Sequence, residues 1–107
     1  MLNLIEFKMR TNLSMAFAKL RKQGYFAKQN FMCCQSCGWA ELSDAQAQKA
    51  VFYNNQDYRD FRNGGDIYLS WSGNGYEIKS TLESFGLRVD WNGESSKRIV
   101  IDGSSLI

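Results

Sequence analysis

Three cysteines fall close together in Asn30-Phe31-Met32-Cys33-Cys34-Gln35-Ser36-Cys37-Gly38. Two thiolates two residues apart can grip one tetrahedral ion, and a glycine after the second lets the backbone turn back. A structural zinc site needs four ligands, yet the usual second CxxC is absent and the chain has no histidine. Cys34 and Cys37 are therefore the candidate metal pair, with Cys33 a poorer third ligand. Adjacent residues of a strand face opposite sides, which sets Cys33 against Cys34 if the strand reaches that far. Glu41, Asp44 or a second subunit would have to complete the set. The same CxxC spacing would also support thiol–disulfide exchange. Gly38, however, does not look like the opening of a long helix whose dipole would lower a thiol pKa. The plainest alternative is three buried, inert cysteines. The expected cofactor is accordingly none, or a structural zinc.

The missing histidine also removes Ser-His and Cys-His nucleophile pairs and imidazole acid–base work. An enzyme built on this chain would have to run on carboxylates, Ser, Tyr, Lys or Cys. Asp57 and Asp60 lie among Arg59 and Arg62, but carboxylates three apart on a helix are ordinarily solvated. Ser72-Gly73-Asn74-Gly75 could present free amides to a phosphate. Its spacing matches neither nucleotide-binding glycine motif, and a capped connection explains it. No catalytic residue is assigned, and a binding protein is favoured over an enzyme.

Charge points the same way. The net charge is only +2, but residues 1–40 carry Lys8, Arg10, Lys19, Arg21, Lys22 and Lys28 against Glu6 alone. Residues 41–107 hold seven basic and ten acidic side chains. Met15, Lys19 and Lys22 share one helical face, Arg21 borders it, and Tyr25 and Lys28 follow. Aromatic residues among cations can stack bases or anchor a protein interface. These six residues form the expected partner-binding surface, directed at an acidic protein or a nucleic-acid-containing partner, with direct nucleic-acid binding included. Small single-domain chains of this form include inhibitors that phages and mobile elements use against host defence, anti-CRISPR proteins among them. The alternatives are a zinc- or redox-linked module centred on the CCxxC cluster, or a small enzyme.

The elements that must position these residues follow from periodicity. Thr11-Asn12 offers an N-cap for a helix to about Gln23, with Leu13, Ala16, Phe17 and Leu20 on its inner face. Tyr25–Cys33 alternates as a strand, and Cys33–Leu42 is expected as a loop. Ser43 and Gln46 form a capping box for a helix over 44–49. A strand at 50–53 precedes one or two helical turns ending at Gly64-Gly65. Ile67, Leu69 and Trp71 define a strand, Asn74 caps a helix over 75–85, and Gly86 stops it. Strands at 87–91 and 98–102 pair as a hairpin turning near Asn92-Gly93. Trp71 and Trp91 are expected in the core.

The sum is an α+β fold, one compact domain over 1–107, with a mixed or antiparallel sheet, helices on one face and a C-terminal β-hairpin. Its 107 residues, 44% apolar and 22% charged, suit one globular core. No apolar run approaches the roughly 20 residues of a membrane span. The opening MLNLIEFKMR has no signal-peptide pattern, and three cysteines fit a reducing compartment. A cytoplasmic protein with no membrane partner is expected.

Several runs then combine: Asn30–Gly38 with its N-F-x-C-C-x-x-C-G motif, Val51-Phe52-Tyr53 with Gln56-Asp57, Gly65–Leu69, Gly86–Gly93 and Arg98–Ile101. In this order, over about residues 13–101, the chain resembles a bacterial family of small proteins known as a domain of unknown function. The resemblance implies a shared fold and brings no activity or catalytic residues with it.

Overall fold

The computed structural model describes the backbone over residues 4–103 and side chains over residues 12–103. The chain runs α1 (Leu4–Lys22), β1 (Phe26–Lys28), α2 (Gln35–Glu41), α3 (Asp44–Ala47), β2 (Ala50–Phe52), α4 (Asn55–Arg62), β3 (Ile67–Trp71), α5 (Gly75–Ser84), β4 (Val89–Asp90) and β5 (Ile99–Ile101). The five strands make one mixed sheet in the order β1-β2-β3-β5-β4. Only β1 and β2 pair in parallel, which requires the long crossover through α2 and α3. The last strand, β5, enters between β3 and β4 and pairs antiparallel with both.

Strand alternation sorts the two faces. Val51, Ile67, Leu69, Ile99 and Ile101 point to one side, where Leu13, Ala16, Phe17 and Leu20 of α1 and Ile78 and Leu82 of α5 seal the core. The apolar stripe expected at i, i+3, i+4, i+7 on α1 is thus the packed one, and each of its four residues is buried. The opposite face carries Phe26, Phe52, Ser70 and Tyr68. There α2 lies over Phe52, which packs edge-on against Trp39 and Phe31 at centroid distances of 5.0 and 5.6 Å. α1 and α5 therefore share one face as expected, while the short α2 covers part of the other.

Local signals decided several boundaries. Ser43 and Gln46 form the expected capping box, with mutual hydrogen bonds of 2.9 and 3.2 Å. Asn74 accepts from the amides of Tyr76 and Glu77 and starts α5. Other expectations need correction. α1 begins at Leu4, so Thr11-Asn12 lies inside the helix and is not its cap. β1 is three residues long, because Asn30 and Met32 adopt left-handed φ values of 51° and 65° that no strand accommodates. Cys33–Leu42 is largely helical rather than a loop.

The C-terminal hairpin has the expected antiparallel pairing, but its connection spans residues 91–98 instead of a two-residue turn. Side chains organise that loop. The amide of Glu94 donates to Asn92 Oδ1 at 3.0 Å, and Trp91 Nε1 donates to the Glu94 carbonyl at 3.0 Å. Trp71 Nε1 reaches the Lys97 carbonyl at 2.8 Å. Trp71 and Trp91 are half-buried rather than in the core, and stack edge to face at 5.4 Å. Their rings occupy the space a side chain at Gly75 would need: a Cβ there would sit 2.5 Å from Trp91.

The most consequential departure is Asp57. It is 7% exposed and not solvated: it closes a second capping box with Asn54 and pairs with Arg98 at 2.8 Å. That pair ties α4 to the residue preceding β5, forty-one positions away. Losing one partner of a fully buried pair costs about 3–5 kcal/mol. The Arg98 side chain is 30% exposed, which lowers the figure. Asp57→Ala is expected to destabilise by about 2–4 kcal/mol, measured by urea unfolding at pH 7. A loss below about 0.5 kcal/mol would place the pair among ordinary surface contacts.

Candidate metal-thiolate site

The two left-handed residues before the cysteines decide where the thiols go. At Asn30 the chain turns, its carbonyl and side-chain oxygen both accepting from Asn55 Nδ2 at 3.1 and 2.6 Å. At Met32 it turns again, and the Met32 carbonyl accepts from the Asn55 amide at 2.9 Å. β1 has ended by then, so the opposite-face argument against Cys33 no longer applies. Cys34 is the N-cap of α2, in extended conformation, and Cys37 lies in the first turn. Cys33, Cys34 and Cys37 converge: their sulfurs all lie within 4.8 Å of one another, with Cys33 and Cys34 at 4.0 Å. None of the three is buried, which excludes the inert-core reading.

Glu41 and Asp44 do not join the cluster, since no carboxylate oxygen shares the 4.8 Å group among the described residues. Glu41 ends α2 and Asp44 begins α3, both beyond the helix terminus that carries the thiols. A tetrahedral zinc with sulfur at about 2.3 Å requires sulfurs about 3.8 Å apart. The observed spacing is close to that, and small side-chain rotations would complete three corners.

The local electrostatics distinguish the thiols. Cys34 makes no full capping hydrogen bond, yet the Cys37 backbone amide, then the Cys37 thiol, hold its pKa below the ordinary value. Cys37 is pushed up to about 11, first by its contact with Cys33 and then by Cys34. A short helix does open at the CxxC, and its first-turn amides supply the polarisation that the sequence alone did not promise.

What holds α2 in place is beneath it. Gly38 is buried against the Phe52 ring, where an added Cβ would lie 2.5 Å from Cε2. The Gly38 amide also donates to the Cys34 carbonyl at 3.0 Å and closes the first helical turn. Phe52, Trp39 and Gly38 are thus the supporting residues that sequence reasoning missed. The glycine after the second cysteine serves close packing against Phe52 rather than the turn its position suggests.

The expected basic surface is only partly assembled. Met15 is 48% exposed, and Lys19 and Lys22 are exposed beside it on the outer face of α1. Neither ion pair among the described residues involves these lysines. Arg21 is exposed but donates to the Ala27 carbonyl at 2.8 Å, so it also fastens β1 to α1. Lys28 alternates with Ala27 and shares the side of Phe26, away from the face that α1 covers. Tyr25 is 4% exposed and cannot stack on a partner. Its hydroxyl donates to the Asn74 carbonyl at 3.2 Å, and burial pushes its pKa up to about 12. The side chains of Lys8 and Arg10 lie outside the described residues.

The glycine loop also resolves as architecture. Ser72 Oγ accepts from the Ala50 amide at 2.9 Å and donates to the Ala47 carbonyl at 2.7 Å. The first amides of α5 are taken by Asn74, which leaves no phosphate cradle there. Among the described residues no helix is long and apolar enough to cross a membrane.

The geometry thus defines an α+β domain with a mixed sheet and a surface cluster of three thiols. The family model described as a domain of unknown function, DUF6891, matches residues 9–105, and the chain belongs to that family. No curated protein and no solved structure matches it.

The thiol ordering has a chemical readout. The thiolate is the reacting species, so at pH 7.5 iodoacetamide should modify Cys34 before Cys37 in metal-free protein. Peptide mass mapping over a time course measures the order. Faster labelling of Cys37 would mean that the helix amides do not govern Cys34.

Proposed function

We propose that this protein is a metal-thiolate binding module rather than an enzyme. Cys33, Cys34 and Cys37 hold one thiophilic ion, with zinc as the expected metal, and the fourth corner is left for a ligand from a partner or solvent. The observation that carries this reading is the convergence of the three sulfurs within 4.8 Å at the surface. Thiolate softness favours zinc over magnesium or calcium, which prefer oxygen ligands. Binding requires deprotonated sulfur, so affinity falls as pH drops and protons are released on loading. A structural zinc would fasten the Asn30–Cys37 segment to α2.

Elemental analysis of protein purified without chelator is expected to give about one zinc per chain. Cobalt substitution should produce sulfur-to-cobalt charge transfer, and Cys33→Ser, Cys34→Ser and Cys37→Ser should each weaken loading by at least about tenfold. Less than about 0.2 zinc per chain, with three freely titrating thiols and no cobalt spectrum, would reject the reading.

A second reading rests on the exposed face of Met15, Lys19 and Lys22. In it, the outer side of α1 engages an acidic protein or a nucleic-acid-containing partner, an inhibitor of host defence complexes being one such case. The exposure of both lysines supports it. Lys19→Glu with Lys22→Glu should keep the fold, because neither residue belongs to the buried α1 stripe. It should abolish the salt-sensitive part of binding, since exposed charges are screened over about 8–10 Å at physiological salt. Binding to heparin and to an RNA oligonucleotide at 50 and 300 mM salt tests the face. Equal retention of the double variant and wild type at both salts would remove it.

A further inference from the structure

The thiol cluster selects by coordination number as well as by softness. It contains all three cysteines of the chain, and the chain has no histidine. Among the described residues no carboxylate oxygen shares the group of sulfurs that lie within 4.8 Å of one another. A structural zinc site closes with four protein ligands, so this set is one short. A trivalent arsenic centre needs only three, because its lone pair fills the fourth position. Arsenic in that state is soft, and thiolate is the matching soft donor.

The three sulfurs are brought together from two directions. Cys34 and Cys37 are three residues apart across the first turn of α2, a spacing that makes side chains neighbours. The Gly38 amide donates to the Cys34 carbonyl at 3.0 Å and holds that turn closed. Cys33 arrives from the preceding segment. Met32 stands before it at a φ of 65°, an uncommon conformation for a residue with a side chain. The Met32 carbonyl accepts from the Asn55 amide at 2.9 Å, so a separate helix, α4, keeps the turn in place. None of the three cysteines is buried, and Cys33 is exposed, so a small solute meets the cluster from water.

We infer that Cys33, Cys34 and Cys37 form a site for trivalent arsenic, taken up as arsenous acid and held by three sulfurs. The inference rests on the reading above that the three sulfurs act as one ion site. Uptake is a ligand exchange with no change of oxidation state. Three As–O bonds and three S–H bonds break, three As–S bonds form, and each hydroxyl leaves as water with one thiol proton. Arsenic remains trivalent throughout, and no oxidant or reductant is consumed.

The test is a titration of the full chain, reduced and metal-free, with sodium arsenite, read by native mass spectrometry. The expected product carries one arsenic and has lost three hydrogens. A product that has lost only two and keeps an As–OH group is an ordinary dithiol adduct, and would overturn the inference. Cys33→Ser, Cys34→Ser and Cys37→Ser should each weaken arsenite binding by about a hundredfold, the gain that a further tethered group supplies. Phenylarsine oxide, which takes only two thiols, should still bind all three variants, since each retains a pair of sulfurs. A single variant that holds arsenite as tightly as wild type would also overturn the inference. Zinc loading is measured in parallel on the same protein. Zinc bound without any three-sulfur arsenic adduct rejects trivalent arsenic and leaves the metal-thiolate reading standing, whereas binding of neither removes both.

Discussion

The arrangement on the outer face of the sheet depends on the absence of a side chain at position 38. Phe52 is fully buried although its strand neighbours Val51 and Tyr53 serve the opposite core. It needs a cover of its own, and α2 supplies one only because Gly38 lets helix backbone settle onto the ring. Trp39 and Phe31 then close around it edge-on. With α2 seated in this way, its N-terminus lies at the surface. The cysteines at that end share a location without belonging to the core.

The same packing explains how so short a sheet is held together. β1 and β4 are brief strands at the two edges of the sheet, and side chains fasten the fold around them more than long ladders do. Arg21 reaches from α1 to the Ala27 carbonyl, Tyr25 reaches to Asn74, and Asp57 reaches to Arg98. Each joins segments the backbone ladder leaves unconnected. Polar groups of this kind are costly to bury alone, so each acts as a constraint on which arrangement of the strands is acceptable.

Two surfaces result, on different sides of the sheet. The outer side of α1 displays Met15, Lys19 and Lys22 above the main core, while the thiols lie at the start of the helix covering the other face. A bound ion would brace the Asn30–Cys37 segment, whose left-handed turns are held by Asn55, without touching the α1 surface. The thiol cluster and the exposed face of α1 are therefore physically separate parts of the domain.

Much of the fold was legible in the chain itself. The stripe Leu13, Ala16, Phe17, Leu20, the alternation over Ile67–Trp71, and the caps at Ser43 and Asn74 are local patterns, and local physics suffices for them. The cysteines announced a thiol site by spacing alone. What periodicity could not supply was any contact between distant segments. Asp57 has the sequence context of a solvated helical carboxylate, and only the approach of Arg98 makes it a buried ion pair. Tyr25 sits among cations in sequence, yet folding turns it inward onto Asn74. Lys28 follows the basic helix in the chain but alternates onto the other side of a strand. Cys33 looked divided from Cys34 until Asn30 and Met32 took left-handed conformations, stabilised in part by Asn55. Residue types and spacing determined which elements form and which chemistry is available. Tertiary structure decided which of those groups meet, because burial and long-range hydrogen bonds act between segments that the sequence holds apart.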